Sequence, residues 1–377
     1  MSPRMPQQDE LAPRTARRLA GALERWFKDA QRDLPWRAPV RSLRERGYRA
    51  LVAEAMLQQT QVVRVAERFV RFIERFPSVE TLAQADEQEV LAEWQGLGYY
   101  RRARNLHAAA RMIVKEYGGA VPREVDELRT LPGVGPYTAG AIASIAYGVR
   151  TPLVDGNVQR VAARLIAIDA SLDSPELRRA SWSLAGSIVE VTEAPGVLNQ
   201  ALMELGSTVC TPRSPKCGRC PVASWCRARQ AGVVDSIPRP KSRTPKESVH
   251  AASVVVHRRG RIVLARRPSS GLWSNMWEAP GLEQEEPAGA PEVRRLLESK
   301  YGLQEASLQE RGDFVHHTSH RTLIFSVWSA ESPRGRLRFG EWVAASSLSS
   351  YPISNAHRRA LQIGLGPLAK RFLTASG

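Results

Sequence analysis

All four cysteines of the chain, Cys210, Cys217, Cys220 and Cys226, fall within one short stretch. Thiols gathered this way in a basic chain read as a set of metal ligands rather than as a disulfide framework. Four thiolates suit a tetrahedral zinc ion or an iron–sulfur cluster, and spacing alone leaves both open. A second stretch with chemical capacity is Leu131-Pro132-Gly133-Val134-Gly135, set between a polar helical run (124–130) and a small-residue run (138–147). A helix that stops in such a turn and restarts leaves backbone N–H groups unpaired at the new N-terminus. Those donors, with the positive end of the helix dipole, make a seat for a phosphate. Gly133 and Gly135 are expected to supply positive φ and to let another backbone approach closely. Two carboxylates accompany these features: Glu54 in Ala53-Glu54-Ala55-Met56-Leu57-Gln58-Gln59-Thr60-Gln61, and Asp155 in Val154-Asp155-Gly156-Asn157-Val158. Each has an ordinary reading. Asp155 or Asn157 would cap the helix carrying Val158, Val161, Ala162, Leu165 and Ile166. A glutamate near a helix start faces water and complements the dipole. Capping does not exclude catalysis, so both carboxylates remain candidates.

Helices must position these residues. An amphipathic helix is expected over residues 19–30 and one long helix over 48–72, with Leu51, Ala55, Val62, Ala66 and Phe69 at helical spacing. Further helices are expected at 79–85, 87–95, 101–117 and 177–191. Nothing before about residue 230 alternates as a strand, so this part reads as all-α. The Pro-rich basic stretch 237–246 reads as a linker. Beyond it, strands are expected at 249–257, 261–265 and 323–328 and a helix at 292–301, giving an α+β part. The expected division of the 377 residues is a flexible tail (1–18), a helical domain (19–235), a linker (236–247) and a second domain (248–377). Lys and Arg number 54 against 38 Asp and Glu, for a net charge of +16. That excess points to a polyanionic partner, nucleic acid ahead of membrane. No apolar run reaches the length of a membrane span and no signal-peptide pattern opens the chain, so a cytoplasmic protein, on the nucleoid in a bacterium, is expected.

The hairpin string L-P-G-V-G-x-Y-T-A-G-A-I, followed by V-D-G-N-V, resembles the helix-hairpin-helix signature of base-excision DNA glycosylases. The string E-x-M-L-Q-Q-T-Q from Glu54, with L-P-W-R (34–37) and G-L-G-Y-Y-R-R-A-R-N-L (96–106), is similar to the adenine DNA glycosylases of the MutY type. Together these strings span most of residues 20–230. The resemblance implies that Glu54 protonates a flipped adenine and that Asp155 lies below the sugar. Neutral adenine is a poor leaving group, so the reaction needs an acid and, as the sugar becomes oxocarbenium-like, a nearby anion. A desolvated Glu54 would hold its proton near neutral pH. Tyr137 and Asn157 are implied to orient these groups and the attacking water. Gln59 and Tyr99 match positions that wedge into the duplex when the base leaves the stack. Gly133 and Gly135 are implied to contact the DNA backbone. The cysteine spacing matches the [4Fe–4S] loop of this superfamily, and Arg213, Lys216, Arg219, Arg227 and Arg229 around it suit phosphate docking. The endonuclease III branch, which also cuts the backbone, has a Schiff-base lysine where Tyr137 stands. A monofunctional glycosylase is therefore expected. Gln159 occupies a position that is often lysine in relatives.

The second part resembles Nudix hydrolases stripped of their metal ligands. The Nudix template laid on Gly281 finds Arg295, Leu297, Gly302 and Leu303 in register, but Pro287, Ser299 and Lys300 replace the magnesium-holding glutamates. Such a domain would bind without hydrolysing. This fits the family's C-terminal domain, implied to read 8-oxoguanine opposite the adenine through a loop commonly written F-S-H-x-H. Here the loop is Thr318-Ser319-His320-Arg321-Thr322, which keeps Ser319 and His320 and lacks the aromatic and the second histidine. The expected partner is duplex DNA with adenine opposite 8-oxoguanine or guanine, bound by a monomer, with no membrane. Two other readings stand beside this one: an endonuclease III-like enzyme acting on oxidised pyrimidines, and a non-catalytic iron–sulfur DNA-binding module.

Overall fold

A computed structural model describes residues 12–241, 245–304 and 307–369. Described residues up to Gln84 and from Asn105 to 241 form one compact unit; Ala85–Arg104 and those from 245 onward form the other. The helices up to residue 230 are α1 (Pro13–Ala30), α2 (Leu43–Leu57), α3 (Val62–Arg75), α4 (Val79–Gln84), α5 (Glu87–Glu93) and α6 (Arg101–Tyr117). They continue with α7 (Val125–Thr130), α8 (Pro136–Ala141), α9 (Gly156–Ile166), α10 (Pro175–Val189), α11 (Pro195–Thr208) and α12 (Arg227–Gln230).

Several boundaries differ from those expected. α1 starts at Pro13, so residues 13–18 are helix and not tail; Pro13 suits the first helical position and Ala16 is fully buried. Residues 1–11 lie outside the described residues. The single helix over 48–72 is two helices, α2 and α3, because the polar run Gln58–Gln61 has no apolar residue to bury. Gln59 between them is left-handed, with φ 57°. Glu54 therefore sits in the last turn of α2 and not near a helix start. A carboxylate there opposes the helix dipole, so the dipole reading of Glu54 does not hold.

One core of the first unit lies where α1, α9, α10 and α11 meet. Leu19, Leu23 and Phe27 pack with Val158, Val161, Leu184, Ile188, Leu198, Leu202 and Leu205, and Cys210, Cys220 and Cys226 pack against the same cluster. Helix α11, which periodicity does not announce, thus anchors both the core and the cysteine loop. The start of the expected linker is held to this unit, since Arg239 N–H donates to Ala170 O (3.0 Å) and Leu172 N–H to Arg239 O (3.1 Å).

The second unit is built on a sheet ordered β3 (Trp277–Glu278), β2 (Arg261–Arg266), β1 (Glu247–Arg258), β7 (Arg321–Glu331), β6 (Leu308–His317). β4 (Gly281–Gln284) adds to β1 and β9 (Glu341–Ala344) to β2, while β5 (Leu303–Gln304) pairs with β8 (Arg334–Gly335). β1 and β7 run parallel, with Val249 opposite Leu323. One face, with Ala251, Val255 and Phe325, is covered by α14 (Asn355–Leu365); the other, with Val254 and Val256, by α13 (Ala290–Leu296). Cover on both faces explains why β1 is a continuous apolar run and not an alternating one.

The composition shift near residue 236 suggests a single cut, but Ala85–Arg104 groups with the C-terminal unit. Gln95 Nε2 donates to Tyr351 O (2.8 Å), Arg104 Nη1 to Ser274 O (2.7 Å), and Trp277 Nε1 to Gln88 Oε1 (2.9 Å). Such bonds join residues far apart in sequence, so no local pattern announces them.

Candidate active site

Glu54, Tyr137, Asp155 and Asn157 line one cavity of about 460 Å³ in the first unit. Glu54 enters from the last turn of α2 and Tyr137 from the first turn of α8, just beyond the hairpin. Asp155 is the N-cap of α9, and Asn157 lies in that helix's first turn. In the hairpin turn only Gly133 is left-handed, with φ 79°, and a Cβ there would meet the Asn105 side chain at 2.8 Å. Gly135 is extended (φ −92°) and caps α8, so the expectation of positive φ at both glycines is corrected. An N-cap residue needs extended backbone and no left-handed freedom.

Glu54 is 6% exposed, and its Oε2 has no hydrogen-bond partner. Burial pushes its pKa up to about 7; a hydrogen bond with Tyr137 opposes the rise and the charge of Asp155 adds to it. Burial also holds the Tyr137 hydroxyl well above its ordinary pKa, with the two carboxylates adding to the effect. Tyr137 therefore stays a proton donor, and its hydroxyl also reaches Met203 Sδ at 3.4 Å.

Asp155 caps and faces the cavity at once. Its Oδ1 accepts the Val158 N–H (2.7 Å) and its Oδ2 accepts Asn157 Nδ2 (2.8 Å). Asn157 Oδ1 accepts Arg160 Nη2 (2.9 Å), and Arg160 also donates to Cys210 O (2.8 Å) and Gly206 O (2.6 Å). A continuous hydrogen-bonded path thus joins Asp155 to the start of the cysteine loop. Gly206 permits it, since a Cβ there would stand 2.7 Å from Asn157 Cβ.

The same cavity is lined by residues of α11 that no motif marks. Glu204 on α11 is 1% exposed and accepts Arg32 Nε (2.5 Å) and Arg37 Nη2 (3.1 Å); Arg37 Nε also donates to Gln200 Oε1 (3.0 Å). Gln200, Glu204 and Ser207 line the cavity. Their spacing of four and three residues is a polar stripe along a largely apolar helix, the signal that would have found them.

The four cysteines surround one small cavity with Arg164, whose buried guanidinium donates to Cys210 Sγ (3.3 Å) and Thr211 O (2.7 Å). Among the described residues no trio of His, Cys, Asp or Glu stands close enough to share a single metal ion. Four thiols around one cavity are a donor set that suits an iron–sulfur cluster.

Residues 52–186 match the model described as HhH-GPD superfamily base excision DNA repair protein. Residues 210–226 match the iron–sulfur binding domain of endonuclease III, and 251–362 the NUDIX domain. The adenine DNA glycosylase of Rattus norvegicus is 37% identical over 395 aligned residues, covering 90% of this chain and 76% of that one. The chain belongs to the adenine DNA glycosylase family. An adenine DNA glycosylase of Mycolicibacterium smegmatis is 48% identical over 207 residues, 55% of this chain and 68% of the relative. Among solved structures, a thermostable thymine-DNA glycosylase aligns with 59% of this chain and 100% of its own, with a TM-score of 0.51 at 27% identity.

As a member of the adenine DNA glycosylases the protein is a DNA N-glycosylase with a [4Fe–4S] cluster, and Cys210, Cys217, Cys220 and Cys226, all within the matched iron–sulfur domain, are the residues that would hold it. Arg213, Lys216, Arg219, Arg227 and Arg229 lie in or beside this loop and are exposed. Protein purified without oxygen is expected to be brown, to carry iron and to bleach when iron is chelated. Stoichiometric zinc would contradict the cluster.

The residues expected to wedge into DNA share a backbone feature. Gln59 (φ 57°) and Tyr99 (φ 48°) are both left-handed and exposed, a conformation uncommon outside glycine. Gln59 lies in the first unit and Tyr99 in the second. Arg102 stacks its guanidinium 5.5 Å from the Tyr99 ring centroid. Ser319 and His320 are the exposed central residues of the β6–β7 turn, and Ser319 Oγ donates to Tyr99 Oη (3.3 Å). Thr318 closes that turn: its Oγ1 accepts the Arg321 N–H (2.9 Å) and donates to Arg321 O (3.0 Å).

Proposed function

We propose that this glycosylase removes adenine paired with 8-oxoguanine, and less efficiently adenine paired with guanine, acting as a monomer on duplex DNA. The observation that carries the chemistry is the pairing of two unlike carboxyl groups in one cavity. Glu54 is buried with a pKa of about 7 and a free oxygen, Oε2. Asp155 is held by two N–H donors at a helix start. A flipped adenine entering the cavity meets Glu54, which gives its proton to a ring nitrogen, so that the protonated base can depart as neutral adenine and not as an anion. Positive charge then develops on the sugar, where Asp155 offers the compensating anion; water adds to C1′ in place of the departed base and its proton returns to Glu54. Asn157 and Tyr137 keep the two carboxyl groups in place. The Arg37–Glu204–Gln200 wall supplies donors and an acceptor for the edge of the base.

Tyr137 is a phenol kept protonated by its surroundings and cannot form a Schiff base, which supports base removal without backbone cleavage. The two carboxyl groups in one cavity favour an enzyme over a passive iron–sulfur binding module.

Discrimination for 8-oxoguanine is assigned to Ser319 and His320 at the turn of the second unit. Each hydrogen bond of this kind contributes about 0.5–1.5 kcal/mol, so losing two shifts a rate ratio by roughly ten- to a hundredfold. Ser319→Ala/His320→Ala is expected to lower the ratio of release opposite 8-oxoguanine to release opposite guanine by that much, with release opposite guanine little changed. An unchanged ratio would move lesion reading away from this turn. The full chain is the right material, because truncation before β1 would strip Gln88, Gln95 and Arg104 of their partners. Because Thr318 spends its hydroxyl on the turn and cannot stack, baseline discrimination should be weaker than in relatives with an aromatic there.

A further inference from the structure

Tyr137 has one hydroxyl proton and two acceptors within reach, the Glu54 carboxyl and the Met203 thioether at 3.4 Å. Donation to Glu54 stabilises the carboxylate, the form that cannot protonate a base. Donation to sulfur leaves Glu54 without that stabilisation. Met203 is well placed to accept the proton, since it lies on α11, lines the cavity and packs against the apolar cluster of α1, α9 and α10. We infer that Met203 is a positioning residue for proton donation, drawing the Tyr137 hydroxyl toward its sulfur and so keeping Glu54 in the acid form. A leucine there would fill similar volume and offer no acceptor.

The other charged groups around the cavity do not depend on this sulfur. Asp155 faces Glu54 from the start of α9, and Arg46 and Arg49 line the cavity from α2. Glu204 on α11 is paired with Arg32 and Arg37. A shift specific to Met203 variants must therefore pass through Tyr137.

The inference rests on Glu54 being the proton donor, and the test separates the two. Single-turnover adenine release from a duplex with adenine opposite guanine is followed against pH for the full-length protein. Release falls as pH rises through the Glu54 pKa, so the midpoint of that fall reports the acid. In Met203→Leu the midpoint should move to lower pH by about half a unit, the size of one weak hydrogen bond. Met203→Gln restores an acceptor of similar shape and should return the midpoint to the wild-type value or above it. In a Tyr137→Phe background, Met203→Leu should cause no further shift. Coincident midpoints for wild type and Met203→Leu, even with a lowered plateau, would overturn the inference. So would a shift that persists without the Tyr137 hydroxyl. If Glu54→Gln released adenine at the wild-type rate in the same assay, the donor reading itself would fall.

Discussion

Glu54→Gln is expected to bind duplex DNA as the wild type does and to lose adenine release by about 10²–10⁴-fold, the usual contribution of general acid catalysis. Glutamine matches the shape of the buried side chain and can still accept from Tyr137, but it has no proton to give. Wild-type release should itself decline as pH rises through about 7, because the acid form is the active one. The same burial has a stability signature. The folded state holds the Glu54 proton up to about pH 7, whereas the unfolded chain releases it near the ordinary 4.5. Folding stability therefore falls as pH rises from about 4.5 to 7 and levels off above that. Glu54→Gln removes this dependence, so the variant should be the more stable protein above pH 7, by on the order of 3 kcal/mol at most. Below pH 4.5 the advantage should vanish. Denaturant melts at pH 8 and pH 4 read the stability, and rapid-quench single turnovers read the chemistry. Release by the variant within a few-fold of wild type would remove Glu54 from the reaction.

Asp155→Asn separates the cap from the chemistry. Asparagine caps helices as well as aspartate does, so its oxygen can keep the Val158 N–H that Asp155 Oδ1 now accepts. Its amide nitrogen, however, would face Asn157 Nδ2, donor against donor, at a cost of about 1 kcal/mol. The variant should fold with a slightly lowered Tm. Release should fall by about 10²–10³-fold, because the anion beside the developing cation is gone. Asp155→Ala should lose the cap as well, about 1 kcal/mol more, with a similar loss of rate. If rate followed stability across the two variants, Asp155 would be a cap and nothing else.

The chemistry-bearing residues were legible where identity and spacing suffice. Four cysteines at short gaps must share a site, and a Gly-containing turn between helices leaves free N–H groups wherever it occurs. The apolar run at 249–257 announced a strand, and the structure shows it covered on both faces. Glu54 and Asp155 were legible as carboxylates in recognisable strings, but their unlike environments were not. Those arise because α2, α8 and α9 close around one cavity, burying the Glu54 carboxyl and giving Asp155 the Val158 and Asn157 N–H donors.

What only the tertiary structure decided follows the same physics. Helical periodicity runs straight through Gln58–Gln61, since spacing is blind to a left-handed residue; the break at Gln59 is what sets Glu54 at a helix end. The Arg37–Glu204–Gln200 wall joins a loop to α11 across more than 160 positions, and Met203 meets Tyr137 across 66. Composition placed the unit boundary at the Pro-rich stretch, yet a few long-range hydrogen bonds carry Ala85–Arg104 into the other unit. Local sequence determines which elements form and which side chains are available. Proton affinity and unit membership depend on what distant segments exclude or donate, and those are properties of the packed chain.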